Sequence, residues 1–364
     1  MIWASAISFI VILGILVLVH ELGHFLSARA FRVGVEEFGF GFPPRLFGKK
    51  FGKTLYSLNA IPIGGFVKIK GIIEQDGAAP TERKPDDFMA QSLLKRFAIL
   101  IAGIVMNYLL TIVLFAIGYM IGMPSQLGDV PANAVVSNQS VVVADITADV
   151  PAAQAGLQVG DTISAVNQTP VTTVASIKEQ LAPVTSGAVI ALSVQRGETT
   201  VDMTTATTAL SDGQAGIGAY FVETGTVELP FGSAVVQATK QTWRLTQTLV
   251  VAFGGLIGSA VQGKDVSGAV AGPVGIATLT HQATQLGFVY VIQFAALLSL
   301  NLAIFNLLPF PPLDGGKLIF VGLEAIVRRP IPLRWQVIVH NVGFIIFLIF
   351  IMAVTIKDVV GLIS

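Results

Sequence analysis

The chain has 364 residues, 53% of them hydrophobic and 12% charged, with 22 basic and 22 acidic side chains and a mean hydropathy of +0.75. That balance lies outside the range of soluble domains and reads as a membrane protein. No cysteine is present, which excludes disulfides and thiolate chemistry, so a zinc site would have to use histidine and carboxylate.

Apolar runs near the roughly 20 residues of a spanning helix fall at 2–19, 97–123, 286–308 and 337–356. About four crossings are therefore expected. The first run lacks a basic n-region and a small-residue cleavage site, and is expected to be retained. Twelve basic residues from Arg29 to Arg96 lie between the first two runs, so the positive-inside rule places that loop in the cytoplasm. Both termini are then expected outside. The segment 245–263 is uncharged but is expected to be interfacial, because a fifth crossing there would carry the start of "DGG" (314–316) to the wrong membrane face.

Residues 1–37 are expected to form the first transmembrane helix. The Gly- and Pro-broken stretch 38–71 reads as short strands and turns, and 72–95 as a polar cytoplasmic loop. A second transmembrane helix is expected at 96–124. Residues 125–222, rich in Val, Thr, Asp and Gly, read as an extracytoplasmic α+β domain. Within it, "ADVPAAQAGLQVGDTISAVNQTPV" followed by "TVASIKEQLAPV" resembles a PDZ domain, a fold that takes extended peptides onto a sheet edge. An amphipathic segment follows at 223–284, a third transmembrane helix at 285–318, a cytoplasmic connection at 319–335, a fourth helix at 336–358 and a tail at 359–364.

The chemistry begins at His20-Glu21-Leu22-Gly23-His24. In a helix the two imidazoles share one face at i and i+4, so both can bind one zinc, with Glu21 beside them as general base toward the attacking water. Ionisable groups at membrane depth are costly and signal function. A catalytic zinc needs a third protein ligand. Asp314, at the end of a spanning run as His20 is, is the stronger candidate over His281 and His340, which are expected to be structural. Pro309, Pro311 and Pro312 should end the helix before it, leaving the aspartate on unwound chain. Asn306 can bond a substrate backbone or an oxyanion; Asn301 is at least as well explained by an interhelical bond.

With "IPIGGFVK" (61–68), "AGPVGIA" (271–277) and "NLLPFPPLDGG" (306–316) in the same order as the HELGH motif and the PDZ-like segment, the chain resembles the bacterial site-2 proteases, intramembrane zinc metalloproteases of the RseP type, peptidase family M50. The resemblance covers nearly the whole chain. It implies one catalytic Zn2+ held by His20, His24 and Asp314, Glu21 as catalytic acid/base, and Asn306, Pro309 and Pro311 in substrate binding. Residues 38–70 become a membrane-associated β-hairpin presenting an edge to an unwound substrate.

The fold implied is a multi-pass α-helical membrane protein of about four transmembrane helices, with that membrane-associated β-hairpin or sheet and one extracytoplasmic PDZ-like domain. RseP-type chains carry two such domains in tandem, and here there is room for one. The implied setting is the bacterial inner membrane and a stress response. Single-span membrane proteins, such as anti-sigma factors or remnant signal peptides, would be cleaved after a first cut by a site-1 protease. Lipid is the expected surrounding, and no nucleic-acid partner is expected. Two rival readings are a channel using the buried polar groups as an ion path, and a silent adaptor working through the PDZ-like domain.

Overall fold

The computed structural model describes residues 2–72, 84–147, 150–197, 199–209, 215–264 and 271–363. The chain divides into two units, one of residues 1–117 and 238–364 and the other of residues 118–237. Among the described residues four helices are long and apolar enough to cross a membrane: Ala6–Ala30, Leu93–Ile121, Phe288–Leu307 and Arg334–Gly361.

Helix α1 (Ile2–Ala30) is apolar on every face, the pattern of a segment surrounded by lipid and protein rather than water. It ends in a Schellman cap, with Val33 N donating to Ala28 O, Arg32 N donating to Arg29 O and Arg32 in the left-handed region at φ 61°, where glycine is usual. Strands β1 (Val35–Phe51) and β2 (Thr54–Ile69) follow. They differ from the short strands expected: each is long and bent, so the first half of β1 pairs on one side with 65–69 and on the other with 55–58, while 45–51 pairs with 54–59. The bends use Gly41, at φ +79°, where a side chain would run into the Ile61 carbonyl. Asn59 Nδ2 donates to Gly41 O at 3.0 Å and fixes the same corner.

This sheet lies along α1. Phe38 and Tyr56 pack on Phe25 with centroids 5.0 and 6.0 Å away, and the Phe40 ring reaches Gly14. Eleven residues of helix between Phe25 and Gly14 correspond to about 16 Å, so the sheet runs beside a spanning helix for half a bilayer core. Its other end is held by Lys70, whose Nζ lies 2.5 Å from Asp86 and 3.1 Å from Asp87. Of the 72–95 loop, 73–83 lies outside the described residues; the remainder forms a short 3-10 turn at Phe88–Ala90 leading into α2 (Leu93–Ile121).

The second unit holds a seven-stranded sheet. In chain order it comprises β3 (Met123–Gln126), β4 (Val135–Ile146), the one-turn α3 (Pro151–Gln154), β5 (Thr162–Val166), β6 (Thr169–Pro170), α4 (Val174–Leu181), β7 (Val189–Arg196) and β8 (Thr199–Ala206), then the two-residue β9 (Thr208–Ala209) and β10 (Ala215–Gly216), and β11 (Ala219–Glu228). The strand order is β3-β11-β4-β5-β7-β8, with β6 on β5 and β9 paired to β10 apart. Asn167 and Gln168, both at positive φ, make the two-residue turn between β5 and β6 that the strand twist favours. Thr173 and Ser176 form a capping box at the start of α4, which turns Ile177 and Leu181 onto Val143, Ile163 and Val194 in the core. The sheet reaches past the expected limits 125–222 at both ends, because Met123 and the β11 residues 223–228 complete its edge.

Helix α5 (Phe231–Val261) is followed by α6 (Pro273–Leu286), α7 (Phe288–Leu307), α8 (Asp314–Val327) and α9 (Leu333–Ile363). Among the described residues α5 is not one of the four candidate spans. Gly287, at φ +119°, separates α6 from α7. Asp358 on α9 accepts from Gly275 N at 2.8 Å, fixing the first turn of α6. The expectation of unwound chain at Asp314 is corrected: only 308–313 is non-helical, and Asp314 is the first residue of α8. The prolines do stop α7, but Gly315 and Gly316 sit so close to the carbonyls of Leu308 and Phe310 that only glycine fits. That close return starts a new helix, and α8 occupies much of what had read as a loop at 319–335. Its far end is tied to α2 by a buried pair, Arg96 to Glu324 at 2.5 Å, with Ile331 N donating to the other Glu324 oxygen.

Candidate metal centre

Helix periodicity brings His20 and His24 onto one face of α1, with ring centroids 4.8 Å apart and planes at 84°. The start of α8 carries Asp314 to them. His20 Nε2 and His24 Nε2 each lie 3.0 Å from the same oxygen, Asp314 Oδ2, and 3.2 Å from each other. All three residues are buried, at 5–6% exposure. Among the described residues this is the group of histidine and carboxylate side chains placed to hold a metal ion.

Each member is held from behind. His24 Nδ1 lies 2.8 Å from the carbonyl of Ile99 on α2, and since a carbonyl only accepts, Nδ1 carries the proton and Nε2 presents a lone pair. Lys317 Nζ donates to Asp314 Oδ1 at 3.1 Å, leaving Oδ2 to the histidines. His20 Nδ1 faces the Asn107 carboxamide at 3.4 Å. Glu21, half-buried, lies in the electrostatic field of His20, His24, Asp314 and Lys317. Two glycines make room. A Cβ on Gly23 would strike the Ala102 backbone, and one on Gly103 would strike His24 Nε2 and His20 Cε1. The helices α1 and α2 can approach this closely only because both positions lack a side chain.

The other expected site residues lie beside this cluster in sequence and are more open. Asn306 and Pro311 are half-buried and Pro309 is exposed. Asn301 bonds within its own helix, donating to Leu297 O at 2.9 Å, in place of the expected interhelical bond. His340, expected to have no partner pattern, has Nδ1 3.2 Å from Pro311 O, and His281 meets Gln285 on its own helix at 3.0 Å. Neither joins the cluster. Four contributors had not been expected: Ile99, Gly103, Asn107 and Lys317. Only Lys317 left a signal in the sequence, its i+3 spacing from Asp314 on a helical stretch; the α2 residues are fixed by how three helices meet.

A family profile described as peptidase family M50 matches residues 8–350. The chain belongs to peptidase family M50. Relatives that bear the name zinc metalloprotease include one from Mesorhizobium japonicum, 33% identical over 98% of this chain and 99% of its own length, and one from Clostridium perfringens, 32% identical over 95% of both. Zinc metalloprotease RasP of Geobacillus kaustophilus is 27% identical over 98% of this chain and 97% of its own. Among solved structures, the PDZ domain of an SdrC-like protein from Listeria monocytogenes is 22% identical, covering 24% of this chain and 92% of that one at a TM-score of 0.22.

The M50 chain is thus a multi-pass membrane protein and a zinc metalloprotease, and the channel and silent-adaptor readings give way to an enzyme. Its donor set suits the metal. Two imidazole nitrogens and a carboxylate oxygen converge within 3.0–3.2 Å, donor types that zinc takes, and the ring N–H of His24 is anchored to a carbonyl as metal-ligating histidines are.

Proposed function

We propose that this M50 protease hydrolyses peptide bonds within or near the transmembrane segments of single-span membrane proteins, with its one zinc held by His20, His24 and Asp314. The observation that carries the reading is the convergence of three buried ligand atoms from α1 and the first residue of α8. When bound, the zinc supplies Lewis acidity toward the scissile carbonyl and the attacking water. Glu21, a further carboxylate in the field of the cluster, takes the proton of the attacking water and delivers it to the leaving amine nitrogen as the C–N bond breaks. Ile99 and Lys317 hold His24 and Asp314 in place during both transfers.

A helical substrate hides its carbonyls in its own hydrogen bonds, so it must unwind before attack. The bent sheet supports a way to do this: 61–69 pairs with β1 on one side only and lies against α1 near Val17, so its outer side offers backbone partners at membrane depth. Asn306, Pro309 and Pro311, partly accessible on the chain before Asp314, serve as substrate contacts. With the basic 29–96 region cytoplasmic, the 125–222 domain is extracytoplasmic, on a chain embedded in a bacterial inner membrane. There a PDZ-like domain filters substrates such as anti-sigma factors or remnant signal peptides, admitting those already cut by a site-1 protease.

The test is zinc content and cleavage of a detergent-solubilised single-span reporter by wild type, Glu21→Gln and Asp314→Ala. Cleavage by wild type alone, with zinc kept in Glu21→Gln and lost in Asp314→Ala, is the expected result. Zinc equally bound by Asp314→Ala would overturn the ligand set, and cleavage by Glu21→Gln would overturn the acid/base assignment.

A further inference from the structure

The residue that stands out beyond the ligands and Glu21 is Asn107. It is fully buried on α2, one turn beyond Gly103. Its backbone is locked there, the carbonyl accepting from Ser299 Oγ at 2.8 Å on α7 and from Thr111 Oγ1 at 3.0 Å. Its side chain is not settled in the same way. Nδ2 faces His20 Nδ1 at 3.4 Å, while Oδ1 is buried with no hydrogen-bond partner. An unpaired polar atom in a buried, apolar setting costs about 1–3 kcal/mol, so its presence beside a metal-site histidine calls for a reason.

The tautomer of His20 supplies it. Nε2 is the nitrogen that faces Asp314 Oδ2 and His24 Nε2. If Nε2 gives its lone pair to a metal, a neutral ring must carry its proton on Nδ1. An N–H at Nδ1 cannot bond an amide N–H, so as placed the pair sets donor against donor at 3.4 Å. The two ends of a carboxamide have the same shape, and hydrogen bonding decides between them. Turning the amide over places Oδ1 on the ring N–H and removes a donor-donor opposition. It exchanges an unpartnered acceptor for an unpartnered donor and gains a bond.

Resting on the zinc reading above, we infer that Asn107 is a positioning residue for the metal: its Oδ1 accepts from His20 Nδ1–H and selects the tautomer that presents Nε2. The centre then has two helices, α2 and α7, behind its two histidines. Ile99 O on α2 holds His24, Asn107 about two turns up the same helix holds His20, and Ser299 on α7 holds Asn107. Outer partners of this kind are worth about 10–100-fold in metal affinity.

The experiment is a chelator competition for zinc on the full-length protein in detergent, comparing wild type with Asn107→Leu and Asn107→Asp, and following the visible spectrum of the cobalt-loaded forms. Leucine keeps the volume and cannot accept a hydrogen bond; aspartate keeps the acceptor. Asn107→Leu is expected to hold zinc about 10–100-fold more weakly with an altered cobalt spectrum, while Asn107→Asp stays close to wild type in both. If Asn107→Leu does not fold, Asn107→Ser, too short to reach the ring, is read in its place. Equal zinc affinity in wild type and the non-accepting variant would overturn the inference, as would an Asn107→Asp protein as weak as Asn107→Leu. A wild type that binds no zinc would instead bring down the metal centre itself.

Discussion

Two buried aspartates, one in each unit, show how the same side chain is put to opposite uses. Asp161, before β5, is 1% exposed and fully satisfied: Oδ1 accepts from Arg196 Nε at 2.7 Å, and Oδ2 from an Arg196 terminal nitrogen at 2.6 Å and from Gln158 N at 2.9 Å. Asp314 is comparably buried but meets different partners. Lys317 takes Oδ1, and Oδ2 is turned toward two imidazole nitrogens, at least one of them without a proton to give. The first carboxylate closes the turn before β5 with donors alone; the second faces an imidazole lone pair, the arrangement that the proposed zinc would join. What separates a structural acid from a site acid here is therefore whether its partners can all donate, not how deeply it lies.

The comparison breaks most visibly under truncation. Asp314→Ala is expected to lose zinc and to lower proteolysis by on the order of 10³-fold or more, as happens when one member of a catalytic unit is removed. Asp161→Ala should leave zinc stoichiometry unchanged and act on stability alone, through an Arg196 left without its partner. Metal analysis beside reporter cleavage decides this, and zinc loss in Asp161→Ala would erase the distinction. Next in size is Gly103→Ala. Its added methyl meets His24 Nε2 and His20 Cε1, so it should displace the histidines and cost about 10²-fold in cleavage, the scale of a misplacement of about 1 Å. Serine or alanine at the open Gly254, which faces no heavy atom within 4 Å, is the matching control on another helix.

These cases also show which parts of the site could be read from residue order alone. His20, Glu21 and His24 were legible because helix geometry converts a spacing of four into one face, and Asp314 because topology arguments bring the ends of two spans to one depth. The helical start at Asp314 was not legible. Three prolines argued for unwound chain, and only the packing of Gly315 and Gly316 against carbonyls six to seven residues earlier shows why the chain turns back into a helix. Strands in the 38–71 region were visible as Gly-rich β sequence, but their number and arrangement were not. The double pairing of β1 depends on where Gly41 bends it, and a bend does not alter hydrophobic alternation. Asn107 and Gly103 left no signal, since their importance lies in how α2 meets α1.

Lys317 sharpens the contrast at smaller scale. Replacing it with methionine preserves the length of the side chain and removes the donor to Asp314 Oδ1, so both carboxylate oxygens become free to rotate toward the histidines or away. Zinc affinity measured by chelator competition is expected to fall about 10-fold, at the lower end for an outer partner, because α8 still delivers the carboxylate to the same place. An unchanged affinity would mean that the backbone alone orients Asp314.

The smallest effect should come from pH acting on the satisfied member. The Arg196 guanidinium, with help from Gln158 N–H, holds the Asp161 carboxyl below the usual carboxylate range. A group whose folded pKa is depressed contributes stability above its unfolded value, about 3.9, and that contribution is lost as pH falls through the folded value. Protection of the amides in the turn 156–161 of the full-length protein, taken relative to their intrinsic exchange rates, should accordingly fall below about pH 4, and Asp161→Asn, which cannot titrate, should flatten the dependence. Arg196 Nη2 also donates to Gly156 O at 2.8 Å, so protonating Asp161 loosens both ends of this turn together. If exchange at 156–161 fell with acid in parallel with the rest of β4 and β5, the ion pair would have no local role, and Asp161 would owe its place to burial alone.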